Sequence, residues 1–172
     1  KRKIFLYQGV LQKGRGIKTM IKLLTYFDIA DGVIIGSGLY KNELLRYIHK
    51  NNLSSRVYFI NTIPYKDLLQ YTSGADIGFA LIKPISKSYI NALPNKIFEY
   101  ILSDIPVLAS NLPEIKAVFD NHDIGYCVDS SNIDFQIELI KKILNNNYSN
   151  LQKTALNNFV WETQNYKFLN VF

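Results

Sequence analysis

A chain of 172 residues, 48% hydrophobic and 20% charged, has the size and composition of one globular domain able to bury a core, which excludes disordered and fibrous classes. The net charge of +6, from 20 basic against 14 acidic residues, favours an anionic partner or a simply solvated lysine-rich surface; with the bases spread along the chain, nucleic acid is the weakest partner, behind a phosphorylated small molecule or an anionic lipid surface. No apolar run approaches the roughly 18 residues of a transmembrane helix, and the single cysteine, Cys127, excludes an internal disulfide framework and a cysteine-only zinc site.

Lys1-Arg2-Lys3 is not followed by an apolar stretch long enough for a secretory signal and reads as a linker into a buried strand. Short apolar, β-branched or aromatic runs at 4–8, 32–35, 57–60, 77–81, 107–109 and 125–128 each have the length of a parallel strand buried on both faces. After the first run, Ile17, Met20, Ile21, Leu24 and Phe27 recur at helical spacing on one face, and Leu44, Leu45 and Ile48 do so after the second. Pro64 and Pro113 stand where first-turn prolines open helices. The βα units in series predict an α/β, Rossmann-like domain: a doubly wound, six-stranded parallel sheet with right-handed crossovers. Ligands of such sheets bind beyond the C-terminal strand ends. From Asp134 the tail reads as two or three helices, with a polar break at Asn145-Asn146-Asn147. With no internal repeat beyond the βα alternation and no candidate boundary between domains, residues 1–172 read as a single domain.

Chemistry-bearing residues collect at the predicted strand ends. The first run leads into Gly9-Val10-Leu11-Gln12-Lys13-Gly14-Arg15-Gly16. Glycine at such a turn lets backbone approach a phosphate at a helix N-terminus, and Arg15 adds a forked cation. The spacing is neither a dinucleotide fingerprint nor a Walker loop, and glycine here serves structure as often as function. The second run ends in Gly36-Ser37-Gly38, flexible backbone at the same edge or merely a tight turn. The third ends in Asn61-Thr62-Ile63-Pro64, where backbone can pair with a base edge. After the fourth comes Asn91-Ala92-Leu93-Pro94-Asn95-Lys96-Ile97-Phe98-Glu99-Tyr100. Pro94 suits a first helical turn, so free N–H groups near Asn95 and Lys96 would meet an anion. Glu99, one turn on, suits a ribose diol. The bland alternative is a surface helix with an ordinary lysine and glutamate.

These segments in this order resemble the donor domain of glycosyltransferase family 4, the "group 1" glycosyl transferases of GT-B fold. The resemblance rests on the Gly9 to Gly16 loop, Gly36-x-Gly38, Arg56-Val57-Tyr58-Phe59 with Ile63-Pro64, Pro94 to Tyr100, and Ile105-Pro106-Val107-Leu108-Ala109-Ser110 with Leu112-Pro113-Glu114. It implies a nucleotide-sugar donor, UDP-, GDP- or similar, lying across the strand ends. By position, Arg15 would grip the diphosphate, and the backbone of Asn95 and Lys96 would form the helix-terminus anion site. Glu99 would hold the ribose as the second glutamate of the family's Glu-x7-Glu motif, while residues around Asn61 and Ile63 would read the base. The implied chemistry is retaining hexosyl transfer without a metal or other cofactor, with Arg15, Asn91 and Glu99 at the catalytic positions. The implied setting is bacterial envelope polysaccharide or capsule synthesis at the cytoplasmic face of the membrane, with peripheral membrane association through the parent enzyme.

Three positions depart from the family. Asn91 stands where the first glutamate belongs, eight positions before Glu99, and its amide keeps hydrogen-bonding capacity without the charge. Val10 replaces an arginine, which leaves Arg15 with Lys13 or Lys96 to neutralise a diphosphate. Asp104 replaces a glycine before Pro106-Val107, as a turn variant. The segment Phe159 to Tyr166 resembles the family's closing helix, with Trp161 as core or as anchor of a domain crossing. His49 and His122 read as isolated polar-surface residues and Cys127 as a small core residue, so no metal site is expected. The chain starts where the family's second domain starts. The expectation is therefore a donor-binding half that lacks its N-terminal acceptor domain and turns over little alone. The alternatives are a catalytically silent nucleotide-sugar-binding module and a GT-B-like sugar-nucleotide 2-epimerase, the latter needing acid/base residues that neither histidine supplies. A non-enzymatic interaction domain is the third.

Overall fold

Runs rich in β-branched and aromatic residues take the strand form where helices cover both faces of a sheet. The computed structural model, which describes residues 1–129, 131–160 and 162–163, bears this out for all six runs. Strands β1 (Lys3–Gln8), β2 (Ala30–Ile35), β3 (Val57–Ile60), β4 (Ile77–Ala80), β5 (Val107–Ser110) and β6 (Gly125–Val128) form one sheet in the order β3-β2-β1-β4-β5-β6, every pairing parallel. Lys3 belongs to β1 rather than to a linker. Its Nζ lies 2.9 Å from Asp76 Oδ1, and Arg2 Nε donates to Asp31 Oδ2 at 2.7 Å, so the basic start is fastened to the strands on either side of β1.

The connecting helices are α1 (Ile17–Leu23), α2 (Lys41–Lys50), α3 (Tyr65–Thr72), a short α4 (Lys87–Ile90), α5 (Asn95–Leu102), α6 (Pro113–Asn121), α7 (Ile133–Asn145) and α8 (Leu151–Asn158). Alternate strand residues divide between two cores. Phe5 and Tyr7 of β1 join Met20, Ile21, Leu44, Ile48 and Ile140 on one face, while Leu6 joins Ile97, Tyr100, Ile101, Ile115 and Leu151 on the other. This period-two partition is what buries the strands on both faces.

Several local expectations change. The face from Ile17 to Phe27 is buried throughout, but the α-helix stops at Leu23 and tightens into a 3-10 turn over Leu24–Tyr26. Its last carbonyls are taken by the Arg56 guanidinium, which donates to Leu24 O at 2.9 Å and also to Phe27 O. Leu45 is exposed beside buried Leu44 and Ile48, because the stripe that α2 buries is only one residue wide at that turn. Pro113 opens α6 in its first turn, whereas Pro64 and Pro94 are the capping residues just before α3 and α5. Proline's missing N–H is harmless at either position. His122 packs edge-on against Phe159, ring centroids 5.0 Å apart, rather than in polar surroundings. Cys127 lies on β6, half-buried, and burial pushes its thiol up to about 12.

Asp104 adopts a left-handed φ of 63°, a conformation that aspartate tolerates better than most residues, and its carboxylate accepts the Gln152 N–H at 3.2 Å. That contact ties α8 to the end of α5. Asn132 caps α7 by accepting the Phe135 N–H at 3.0 Å. The polar break expected at 145–147 separates α7 from α8. Trp161 and residues 164–166 lie outside the described residues. No helix among the described residues is long and apolar enough to cross a membrane.

Candidate functional site

The strand order reverses direction between β1 and β4, so the crevice beyond their C-terminal ends is the topological switch point. The turn after β1 is pressed against the turn after β2. Gly36 has φ 136°, and a Cβ added there would lie 2.1 Å from Gly9 O, so no side chain fits between the two turns. Arg15 is presented between Gly14 and Gly16, whose φ values are 84° and 74°; a Cβ at Gly16 would lie 1.9 Å from Leu81 O. The loop that carries the cation thus lies directly on the end of β4.

Two adjoining cavities share Gln8, Gly9, Val10 and Glu99. One, of about 390 Å³, adds Tyr7, Arg15, Pro94, Asn95 and Lys96. The other, of about 280 Å³, adds Gly36, Ser37, Thr62 and Ile63. Helix α5 begins without a side-chain cap, which leaves the opening amides at Asn95 and Lys96 available to an anion in the first cavity. Neither Arg15 nor Lys96 has an ion-pair partner among the described residues; each is held by an aromatic ring instead. Arg15 Cζ lies 4.7 Å from the Tyr89 ring centroid and Lys96 Nζ lies 3.6 Å from that of Tyr7. Burial lowers the Lys96 ammonium to about 7, the neighbouring Arg15 charge adds to the lowering, and Glu99 opposes both. Burial raises the Tyr7 phenol, whose hydroxyl donates to Val10 O at 2.7 Å. Arg15, Lys96 and the uncapped amides of α5 thus bring partial or full positive charge to one side of this crevice.

The first cavity gathers Gly9, Arg15, Pro94, Asn95, Lys96 and Glu99, and the second gathers Gly9, Gly36, Ile63 and Glu99. Among the residues singled out in the sequence, Lys13, Gly38, Asn61 and Asn91 line neither. Gly38 borders a neighbouring cavity with Leu11 and Lys13. Asn61 is exposed at the end of β3, and Asn91 is the exposed C-terminal cap of α4. His49 and His122 line neither cavity either. A larger cavity of about 510 Å³ beside α1 and α2 is lined by Lys13, Gly14 and Gly16 of the first loop but by none of the other residues predicted to meet the donor. Its Lys13 pairs with Glu43 at 2.9 Å, and its Lys18 sits 4.5 Å from the Tyr47 ring centroid.

Sequence reasoning missed Gln8, Tyr7, Tyr89, Thr72 and Tyr100. Buried Tyr100 on α5 receives the Gln8 backbone N–H at 3.2 Å, and its hydroxyl also lies 3.3 Å from Leu6 O and Phe79 O. The one available signal was Gln8 itself, a polar residue closing an otherwise apolar strand.

Fold and site together define a Rossmann-like α/β domain with Arg15 and Lys96 in the crevice at its switch point. Residues 1–158 match the model of the glycosyl transferases group 1, and the chain belongs to that family. No curated protein sequence matches it significantly. Among solved structures it is similar to HepE from Anabaena in complex with UDP-glucose, with a TM-score of 0.82, 18% identity and coverage of 99% of this chain and 48% of that one. It is also similar to sucrose-phosphate synthase from Thermosynechococcus elongatus, with a TM-score of 0.81, 21% identity and coverage of 99% and 46%. TarM from S. aureus, in complex with Fondaparinux, alpha-GlcNAc-glycerol and UDP, gives a TM-score of 0.77, 16% identity and coverage of 98% and 35%. The chain therefore spans less than half the length of these three structures.

Proposed function

We propose that this chain is the C-terminal, nucleotide-sugar-binding domain of a family 4 glycosyltransferase of GT-B fold, holding the donor for retaining hexosyl transfer. The observation that carries the reading is the pair of cations, Arg15 and Lys96, which have no ion-pair partner among the described residues, beside Glu99 at the switch point. HepE and TarM, whose structures contain UDP or UDP-glucose, support a nucleotide donor in the corresponding fold. The diphosphate would lie between Arg15, Lys96 and the first amides of α5, with the ribose on Glu99 and the base toward Ile63. When the bond between the sugar C1 and the diphosphate oxygen breaks, the same groups would stabilise the negative charge left on that oxygen, with no metal required. The acceptor and much of the catalytic surface would come from an N-terminal domain. Together they would act at the cytoplasmic face of the membrane, on a polysaccharide or lipid-linked acceptor.

Thermal denaturation with millimolar UDP or GDP tests the donor site. A nucleotide at about a hundred times its Kd stabilises a binding protein by ~2.7 kcal/mol, or roughly 5–10 °C for a domain of this size. No shift with any nucleoside diphosphate would overturn the reading. Asn91 favours a second reading, a donor-binding module without turnover, since an amide at that position carries no charge to meet a developing oxocarbenium ion. Donor consumed by the two-domain enzyme excludes the module, and donor bound but never consumed supports it.

Lys96 gives the site a pH signature. In the free protein its ammonium titrates at about 7, and a diphosphate beside it would raise that value. Above neutrality, binding then requires proton uptake. Affinity is expected to fall roughly three- to tenfold between about pH 7 and about pH 9. Calorimetry in buffers of different ionisation enthalpy should reveal the proton. Lys96→Met should bind more weakly at pH 7 and lose the slope, and a slope that survives this substitution would assign the titration elsewhere.

A further inference from the structure

We propose that Gln8 is the positioning residue for Glu99, fixing which carboxylate oxygen is offered to the ribose; this rests on the nucleotide-binding reading above. Gln8 is 2% exposed and Thr72 is fully buried, so both polar side chains must be satisfied inside the protein. Gln8 Nε2 lies 2.6 Å from Glu99 Oε2, and Thr72 Oγ1 lies 2.8 Å from Gln8 Oε1.

The carboxylate only accepts, so it selects the amide orientation with NH2 toward Glu99. The amide oxygen must then face Thr72, whose hydroxyl has a single proton. That proton can go to Gln8 or to Leu68 O, 2.9 Å away, and only the first choice serves the buried amide oxygen. The polarity of the relay is thus set from Glu99 to Gln8 to Thr72. Gln8 is itself held at the strand end, where its backbone N–H donates to the Tyr100 hydroxyl.

The consequence lies at Glu99. Oε2 is engaged by Gln8, while Oε1 has no partner among the described residues, and Glu99 lines both cavities. A half-buried glutamate on a helix has several rotamers within reach, and the charge-assisted bond to Gln8 selects one of them. Two ribose hydroxyls can then donate to a carboxylate that is already aimed, rather than ordering it on binding.

The test compares UDP and GDP with their 2′,3′-dideoxy counterparts on the wild type, Gln8→Met and Glu99→Gln, using calorimetric Kd ratios. Methionine matches the glutamine shape without the amide, and the Thr72 proton can return to Leu68 O, so the core stays satisfied. The wild type should prefer the ribose form by about tenfold or more, the effect of losing both ribose hydroxyls' hydrogen bonds to a charged group. Gln8→Met should cut that ratio by about threefold or more, and Glu99→Gln should cut it as well, with the dideoxy affinity less affected than that for the ribose forms. A wild-type preference that Gln8→Met retains overturns the Gln8 role alone. No ribose preference in the wild type overturns the role together with the ribose reading of Glu99. If Gln8→Met does not fold, Thr72→Ser and Thr72→Val carry the same test: serine should keep the preference and valine weaken it, and equal ratios overturn the proposal.

Discussion

Replacing Arg56 with alanine is expected to destabilise the domain by about 2–4 kcal/mol, as removing one partner from a largely buried charged network does. Its guanidinium lies at the entry to β3 and donates to Leu24 O at 2.9 Å, to Ala30 O at 2.7 Å and to Phe27 O. It also approaches two carboxylates, Asp28 Oδ1 at 3.5 Å and Asp31 Oδ1 at 3.9 Å. The Asp28 pair is exposed and adds little. The rest matters more. Without Arg56 the carbonyls of Leu24 and Phe27 keep only the backbone N–H groups of Phe27 and Ala30, and among the described residues buried Asp31 keeps only Arg2. Urea denaturation should show the midpoint falling by roughly 1–2 M with an unchanged m-value. Arg56→Lys should recover less than half, because a point charge cannot serve several carbonyls at fixed angles. A loss below about 0.5 kcal/mol would relegate the network to the ordinary surface class.

Arg56 also marks the limit of what the sequence disclosed. It was legible as one residue of a family segment, yet its partners lie 25 to 32 residues away on other elements, beyond the reach of any local pattern. The sheet itself was legible because a strand buried on both faces leaves a continuous apolar run, and six such runs alternating with amphipathic stretches permit few topologies. Arg15, Lys96 and Glu99 were legible because they sit at strand-to-helix junctions that the alternation locates. Gln8 was not, since its meaning depends on Thr72 and Glu99, 64 and 91 residues away. Helix α4 escaped for another reason: four residues are too few to show a helical period. Asn91 was located only by its spacing from Glu99, and the short helix it closes carries it to an exposed position outside both cavities.

Arg15→Ala is expected to weaken nucleoside diphosphate binding by about 1.5–3 kcal/mol, roughly ten- to hundredfold, the worth of well-made hydrogen bonds from a charged donor. The loss should be smaller for a nucleoside monophosphate and near zero for the nucleoside, if the guanidinium meets the diphosphate. Tyr89→Leu removes the ring beneath the guanidinium but not the charge, so its effect should stay near about 1 kcal/mol. A second consequence separates Arg15 from a merely structural loop residue. Arg15's positive charge is one of the causes that lower the Lys96 ammonium to about 7. Removing it should raise the titration of Lys96, so that in Arg15→Ala the pH at which diphosphate affinity begins to fall moves upward even as the affinity itself drops. Weaker binding with an unmoved pH profile would place Arg15 and Lys96 on different parts of the ligand. A weaker complex with a shifted profile would put both cations on one diphosphate, with the cost of crowding two positive charges in the free crevice recovered when the anion arrives.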